Sequence, residues 1–200
     1  MHNSTMRCAA ALLIVLIACA LCLLGGEQIE KLGPQLIADG SFISGDGREP
    51  VRPAGWTIDE RGGGTVRWIE QGHLDKGGAK LTCDSDGGIA SMQQRRWLSS
   101  AAPCYLASFS VKGSGNLTVR FRLFSESEPD LSSVVHSISN QPGWTANRIY
   151  FEPFPDGIEG ELEVLFLLDG KGSYELDNVS LSKYEGPYTQ QPQEFNAHLE

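Results

Sequence analysis

Apolar and polar residues alternate with a period of two along several stretches of this chain, and no stretch after residue 27 carries apolar residues at helical spacing. Tyr105, Ala107, Phe109 and Val111 alternate with Leu106, Ser108 and Ser110. Leu117, Val119, Phe121 and Leu123 alternate with Thr118, Arg120 and Arg122. Leu162, Val164, Phe166 and Leu168 form a third set, followed by a Gly170-Lys171-Gly172 turn. Further strands are expected over residues 65–70, 79–84, 89–95, 147–151 and 174–182. Alternation sends one row of side chains into a core and the other to solvent. Eight or more short strands punctuated by Gly and Pro predict an all-β protein, a sandwich or barrel of antiparallel strands.

The N-terminus has another pattern. Residues 8–24 form an unbroken run of 17 apolar residues, with Arg7 the only formal charge before Glu27. The run predicts a hydrophobic helix ahead of the sandwich, with residues 1–26 a signal peptide or membrane anchor. One basic residue before it and acids after it place the rest of the chain on the extracytoplasmic side, in the cell envelope or secreted. Three fates stay open. Leu16-Ile17-Ala18-Cys19 resembles a lipobox, with Cys19 as the lipidated residue; Ala18-Cys19-Ala20 also fits a signal-peptidase site; and the segment could remain as an anchor. Residues 27–35 read as a polar spacer, 36–183 as the folded domain and 184–200 as a Pro/Gln-rich polar tail.

Charge and cysteines narrow the class. The chain has 16 Lys plus Arg against 25 Asp plus Glu, which argues against nucleic acid as a partner. Cys83 and Cys104 are the two cysteines beyond the apolar run, a candidate disulfide whose loop of about 20 residues would be worth about 3 kcal/mol; two small buried thiols are the alternative. His2, His73, His136 and His198 are isolated, and no nucleophile elbow, zinc-binding helix or phosphate loop occurs. Glu161 and Glu163 share a strand face, as acids on a solvated surface also do. A non-enzyme is expected. Asp84-Ser85-Asp86-Gly87-Gly88 has the look of a calcium loop but lacks the later Glu, so a hairpin turn is expected there.

Leu36-Ile37-Ala38-Asp39-Gly40-Ser41-Phe42 and Pro53-Ala54-Gly55-Trp56 resemble the opening of carbohydrate-binding modules of the family 4, 9 and 22 kind. The similarity continues through Gly77-Gly78-Ala79-Lys80-Leu81, Met92-Gln93-Gln94, residues 103–112, Trp144 and Phe151, and closes on residues 174–181, which are similar to that family's last strand. The resemblance implies a galactose-binding-like jelly roll of two antiparallel sheets that binds glycans without catalysis. It puts Phe42, Trp56 and Tyr105 in the core. It also implies a structural calcium ion held in part by Asp177, although Ile43 stands where the family has an acidic ligand.

Sugars present apolar C–H faces and a rim of hydroxyls, so their sites combine aromatic platforms with polar and charged groups. Outward-facing Trp68, Arg120, Arg122, Arg148 and Tyr150 would form such a groove, and Trp97 beside Arg95 and Arg96 is a further candidate. The same residues also suit a solvated face on which arginines pair with the surplus carboxylates, with Trp68 in the core. Two functions are carried forward. One is a glycan-binding module tethered to the envelope, with polysaccharide as its partner. The other is an accessory subunit of a membrane protein complex, using the sandwich to bind protein.

Overall fold

In the computed structural model the described residues are 32–74, 77–98, 104–124, 132–151 and 160–184. The apolar leader with Cys19 and the tail beyond Tyr184 lie outside them, as do His2 and His198. The described residues form eleven strands: β1 (Leu32–Gln35), β2 (Thr57–Arg61), β3 (Gly64–Ile69), β4 (Gly78–Cys83), β5 (Ile89–Leu98), β6 (Tyr105–Ser114), β7 (Leu117–Phe124), β8 (Ser132–Ile138), β9 (Gln141–Phe151), β10 (Gly160–Asp169) and β11 (Gly172–Tyr184). No helix occurs among them.

The strands make two antiparallel sheets. The first runs β3-β4-β11-β6-β9, with β1 also on β11; the second runs β2-β5-β10-β7-β8. The period-two runs became the central strands. Leu117, Val119, Phe121 and Leu123 of β7 and Leu162, Val164, Phe166 and Leu168 of β10 are buried from one side of the core. Tyr105, Ala107, Phe109 and Val111 of β6 are buried from the other. Aromatic rings lock the two layers: Phe109 of the first sheet meets Phe166 of the second edge-on at 5.3 Å, and Phe151 stacks on Phe121 at 4.5 Å. Such pairs add about 0.5–1.5 kcal/mol each beyond the area they bury. Phe42, Trp56 and Tyr105 are buried, as the resemblance implied.

Four expectations need correction. Residues 32–35 are not spacer but strand, because the Gln35 carboxamide oxygen accepts N–H groups from Leu36, Ile37 and Leu181 at 3.0, 3.3 and 2.7 Å and fixes β1 on β11. Residues 84–88 do not turn a hairpin: they carry the chain from β4 in the first sheet to β5 in the second, and Gly88 accepts the Gly170 N–H at 2.9 Å. Cys83 and Cys104 are buried thiols with no disulfide between them. The register explains why they stay apart. Cys83 pairs with Gly172 at one end of β11, whereas the Cys104 carbonyl accepts the Tyr184 N–H at the other end. Twelve strand residues span roughly 40 Å, and a disulfide needs Cα atoms within about 7 Å. Trp68, finally, has the parity of buried Val66 and packs against the core, its indole N–H donating to the Phe42 carbonyl at 2.7 Å.

Candidate functional site

The outer face of the second sheet is built by three strands that are not neighbours in sequence. With Val164 and Phe166 of β10 committed to the core, Glu161, Glu163 and Leu165 point away from it. Antiparallel pairing then sets Arg95 of β5 and Arg122 of β7 on either side of Glu163, Trp97 and Phe124 on either side of Glu161, and Gln93 and Arg120 on either side of Leu165. Three rows cross the sheet: aromatic, charged, and mixed.

Glu163 organises the middle row. Its side chain is only 1% exposed, yet it faces three guanidiniums: Arg95 at 3.0 Å from one oxygen, and Arg120 and Arg122 at 3.5 and 3.3 Å from the other. A carboxylate so buried is tolerable only when paired, and one partner here donates a hydrogen bond, from Arg95 Nε at 3.0 Å. The arginines are the part that reaches solvent, with side chains 44%, 32% and 24% exposed for Arg95, Arg120 and Arg122. Arg95 and Arg122 both lie over the Phe124 ring, at 4.6 and 4.1 Å from its centre, which fixes their planes. Trp97 is 55% exposed in the next row. β2 pairs only with residues 89–93 of β5, so the rest of β5 borders an open cleft of about 510 Å³, lined by Gly55, Thr57, Gln93 and Arg95 among others.

Arg120 and Arg122 therefore share this face, as the alternation of β7 predicts. The other sequence candidates lie elsewhere. Arg148 and Tyr150 stand on the outer face of the first sheet, opposite Ser108 and Leu106 of β6, and Trp68 points inward. The five-residue groove does not form, because its members belong to different sheets or different sides of one. Arg96, beside Trp97 in sequence, points the other way and donates to the Leu36 carbonyl at 2.8 Å. The residues that sequence reasoning undervalued are Arg95, Phe124 and above all Glu163, an acid set between Leu162 and Val164 of β10.

The first sheet's outer face is closed over in part. Arg148 borders a cleft of about 270 Å³ with Ser108, Ser180, Ser182 and Asn178. Trp144 is stacked by His73 at 5.1 Å, and Lys112 Nζ lies 5.1 Å from its ring while pairing with Glu175 at 2.6 Å.

The residues around Asp177 do not fit a calcium ion. Its side chain is buried, and both oxygens already accept hydrogen bonds: from the N–H groups of His73 and Leu74 at 2.6 and 3.4 Å, and from the Asn178 N–H at 2.7 Å. Among the described residues no three acidic, histidine or cysteine side chains gather as a metal cluster. N–H groups point where a cation would need oxygens.

No protein-family model and no curated protein matches the sequence. Solved structures do match. The chain is similar to the enzymatically active domain of tailspike protein 4 of bacteriophage CBA120 (15% identity, TM-score 0.60), over 74% of this chain but only 21% of that one. It is similar to a cyclase from Fischerella sp. TAU (13% identity, TM-score 0.56, 76% of this chain and 96% of that one). It is also similar to a family 16 carbohydrate-binding module (19% identity, TM-score 0.52, 73% of this chain and 98% of that one). Modules of families 61 and 11 share the architecture, the first of them in complex with β-1,4-galactotriose. The fold is that of the carbohydrate-binding modules. The neighbours are mostly such modules, with enzymes and enzyme-associated domains among them.

Proposed function

We propose that this protein is a non-catalytic glycan-binding module and that its glycan lies on the outer face of the second sheet. The observation that carries the reading is the set of three guanidiniums fixed around buried Glu163, beside the row that holds Trp97 and Phe124, on an open sheet face. Such a face offers what a sugar needs: an aromatic plane for its C–H side and rigid donors for its oxygens. The fold it shares with carbohydrate-binding modules supports the reading. The apolar run of residues 8–24 supports an envelope-tethered, extracytoplasmic placement.

The test is a glycan panel titrated calorimetrically against the full chain in detergent. Binding by at least one polysaccharide class is expected, and Trp97→Ala should weaken it by about tenfold while leaving thermal unfolding unchanged. Absence of binding across plant, bacterial and animal glycans overturns the proposal. So does binding that Trp97→Ala and Arg95→Ala leave intact.

A further inference from the structure

The two sheets end on four strands: β3 and β9 in the first, β2 and β8 in the second. A strand at a sheet end points alternate N–H and C=O groups at whatever comes alongside, and proteins guard such edges with charges, proline, bulges or covering chain. Three of these edges are guarded. β2 carries Asp59, Glu60 and Arg61. β3 turns two N–H groups away from β4 and satisfies both within the domain, Val66 on the Glu60 carboxylate at 2.6 Å and Trp68 on the Val51 carbonyl at 3.0 Å. β9 holds Pro142, Gly143 and Arg148, and its pairing with β6 slips register between Val111 and Gly113.

β8 has none of these devices. Its sequence, Ser-Ser-Val-Val-His-Ser-Ile, contains no Asp, Glu, Lys, Arg, Pro or Gly. It pairs with β7 in unbroken register, from Ile138 on Leu117 to Ser132 on Leu123, and no described strand lies on its other side. Val135, at its midpoint, shares the outer face with Arg120 and is 52% exposed, whereas Val134 packs against the core. The strand is also its own complement. Laid antiparallel on a second β8 about a two-fold axis through Val135, it finds a partner for every residue. Val135 then meets Val135 and Ser133 meets Ser137 on the outer face, while Val134 meets His136 on the inner one. Apolar and hydroxyl pairs directly opposite one another stabilise such pairing, and like charges there would oppose it. On a chain of net charge −9, an edge without a carboxylate is where two copies can approach.

We infer that β8 is the seam of a homodimer: it pairs with β8 of a second copy, antiparallel about Val135, and joins the two second sheets into one. The axis stands perpendicular to the sheet, so both outer faces lie on the same side and a long polymer could run from one copy to the other. The pairing itself does not depend on the glycan-binding reading.

The full chain in detergent is followed by analytical ultracentrifugation across a concentration series. A concentration-dependent dimer is expected, tightening as salt screens the net charge. Val135→Lys, which sets two like charges opposite each other at the seam, should weaken it by about tenfold without moving the melting temperature. The register has a test of its own. Antiparallel partners have Cα atoms about 4.5–5.5 Å apart, within disulfide reach, so Val135→Cys should crosslink to its own copy under mild oxidation, with the bond mapped by mass spectrometry to position 135 of both chains. Ser139→Cys, roughly 26 Å from its own copy in this register, should not. A chain that stays monomeric up to its solubility limit overturns the inference. So does a dimer that Val135→Lys leaves intact, or crosslinking of Val135→Cys no faster than that of Ser139→Cys. Slower hydrogen exchange of β8 amides with an added Thr/Val-rich peptide, but not with rising protein concentration, overturns the second copy as the occupant.

Discussion

Asp177 shows how one side chain can do two strands' work. Its carboxylate terminates the N–H groups of His73, Leu74 and Asn178 inside the protein, at the bulge where Asn178 takes a left-handed backbone with φ of 53°. Removing it strands buried donors, which costs far more than one hydrogen bond is worth. Asp177→Ala should lower the unfolding free energy by about 2–4 kcal/mol in urea titrations. Because N–H groups already fill the carboxylate, chelator and added calcium should leave the wild-type melting temperature unmoved. A calcium-dependent rise of several degrees would contradict this. The thiols give a second check. Cys83 and Cys104 are buried thiols with no disulfide between them, and burial pushes the Cys83 thiol's pKa up. An alkylating reagent should add two labels to the described domain only after denaturation, with or without prior reduction.

At the scale of elements, β1 is held less by apolar burial than by the hydrogen bonds of its last side chain, Gln35. Gln35→Ala should destabilise the protein by about 1–2 kcal/mol and speed hydrogen exchange at the Leu181 amide while leaving the Phe166 amide slow. Elements like this one explain what could be read in advance. β7 alternates strictly and β10 keeps an unbroken inward row of Leu162, Val164, Phe166 and Leu168, because both lie mid-sheet with one face in the core, and both are legible in the sequence. β1, with Gly33 and Pro34, β2, with Ile58 as its one aliphatic residue, and β8, a Ser-rich edge, bury too few apolar positions to announce themselves. The proposed binding face was half legible for a related reason. Alternation says which side of a strand a residue takes, so Arg120 and Arg122 were recognisable as outward. It does not say which strand lies alongside. That Glu163 sits between Arg95 and Arg122 depends on β10 entering between β5 and β7, a long-range choice with no local signature.

Across the whole molecule, Glu60 of β2 ties the two sheets at one edge: its carboxylate accepts the Val66 N–H of β3 at 2.6 Å and pairs with Arg52 at 2.6 Å and with Arg67. Burial alone would raise its pKa, but the Val66 N–H and the Arg67 and Arg52 guanidiniums outweigh that and hold it below the usual glutamate value. A carboxyl with a lowered folded-state pKa contributes stability that is present above the unfolded value of about 4.3 and lost as pH falls through the folded one. Asp39, whose pKa burial raises, works in the opposite sense. Glu60→Gln should therefore cost about 1–3 kcal/mol at neutral pH and remove part of the acid-limb decline in denaturation midpoint.

The placement of β10 has a last consequence, for the order in which the protein comes into being. The arginines of β5 and β7 exist in the chain well before residue 163 is added, and only β10 supplies the carboxylate that gathers them. A chain that has made only its local turns owns the three guanidiniums but not the face. Capture of a ligand on the proposed face would thus report on long-range pairings that form after the local turns, and a nascent or partly opened chain lacks that face.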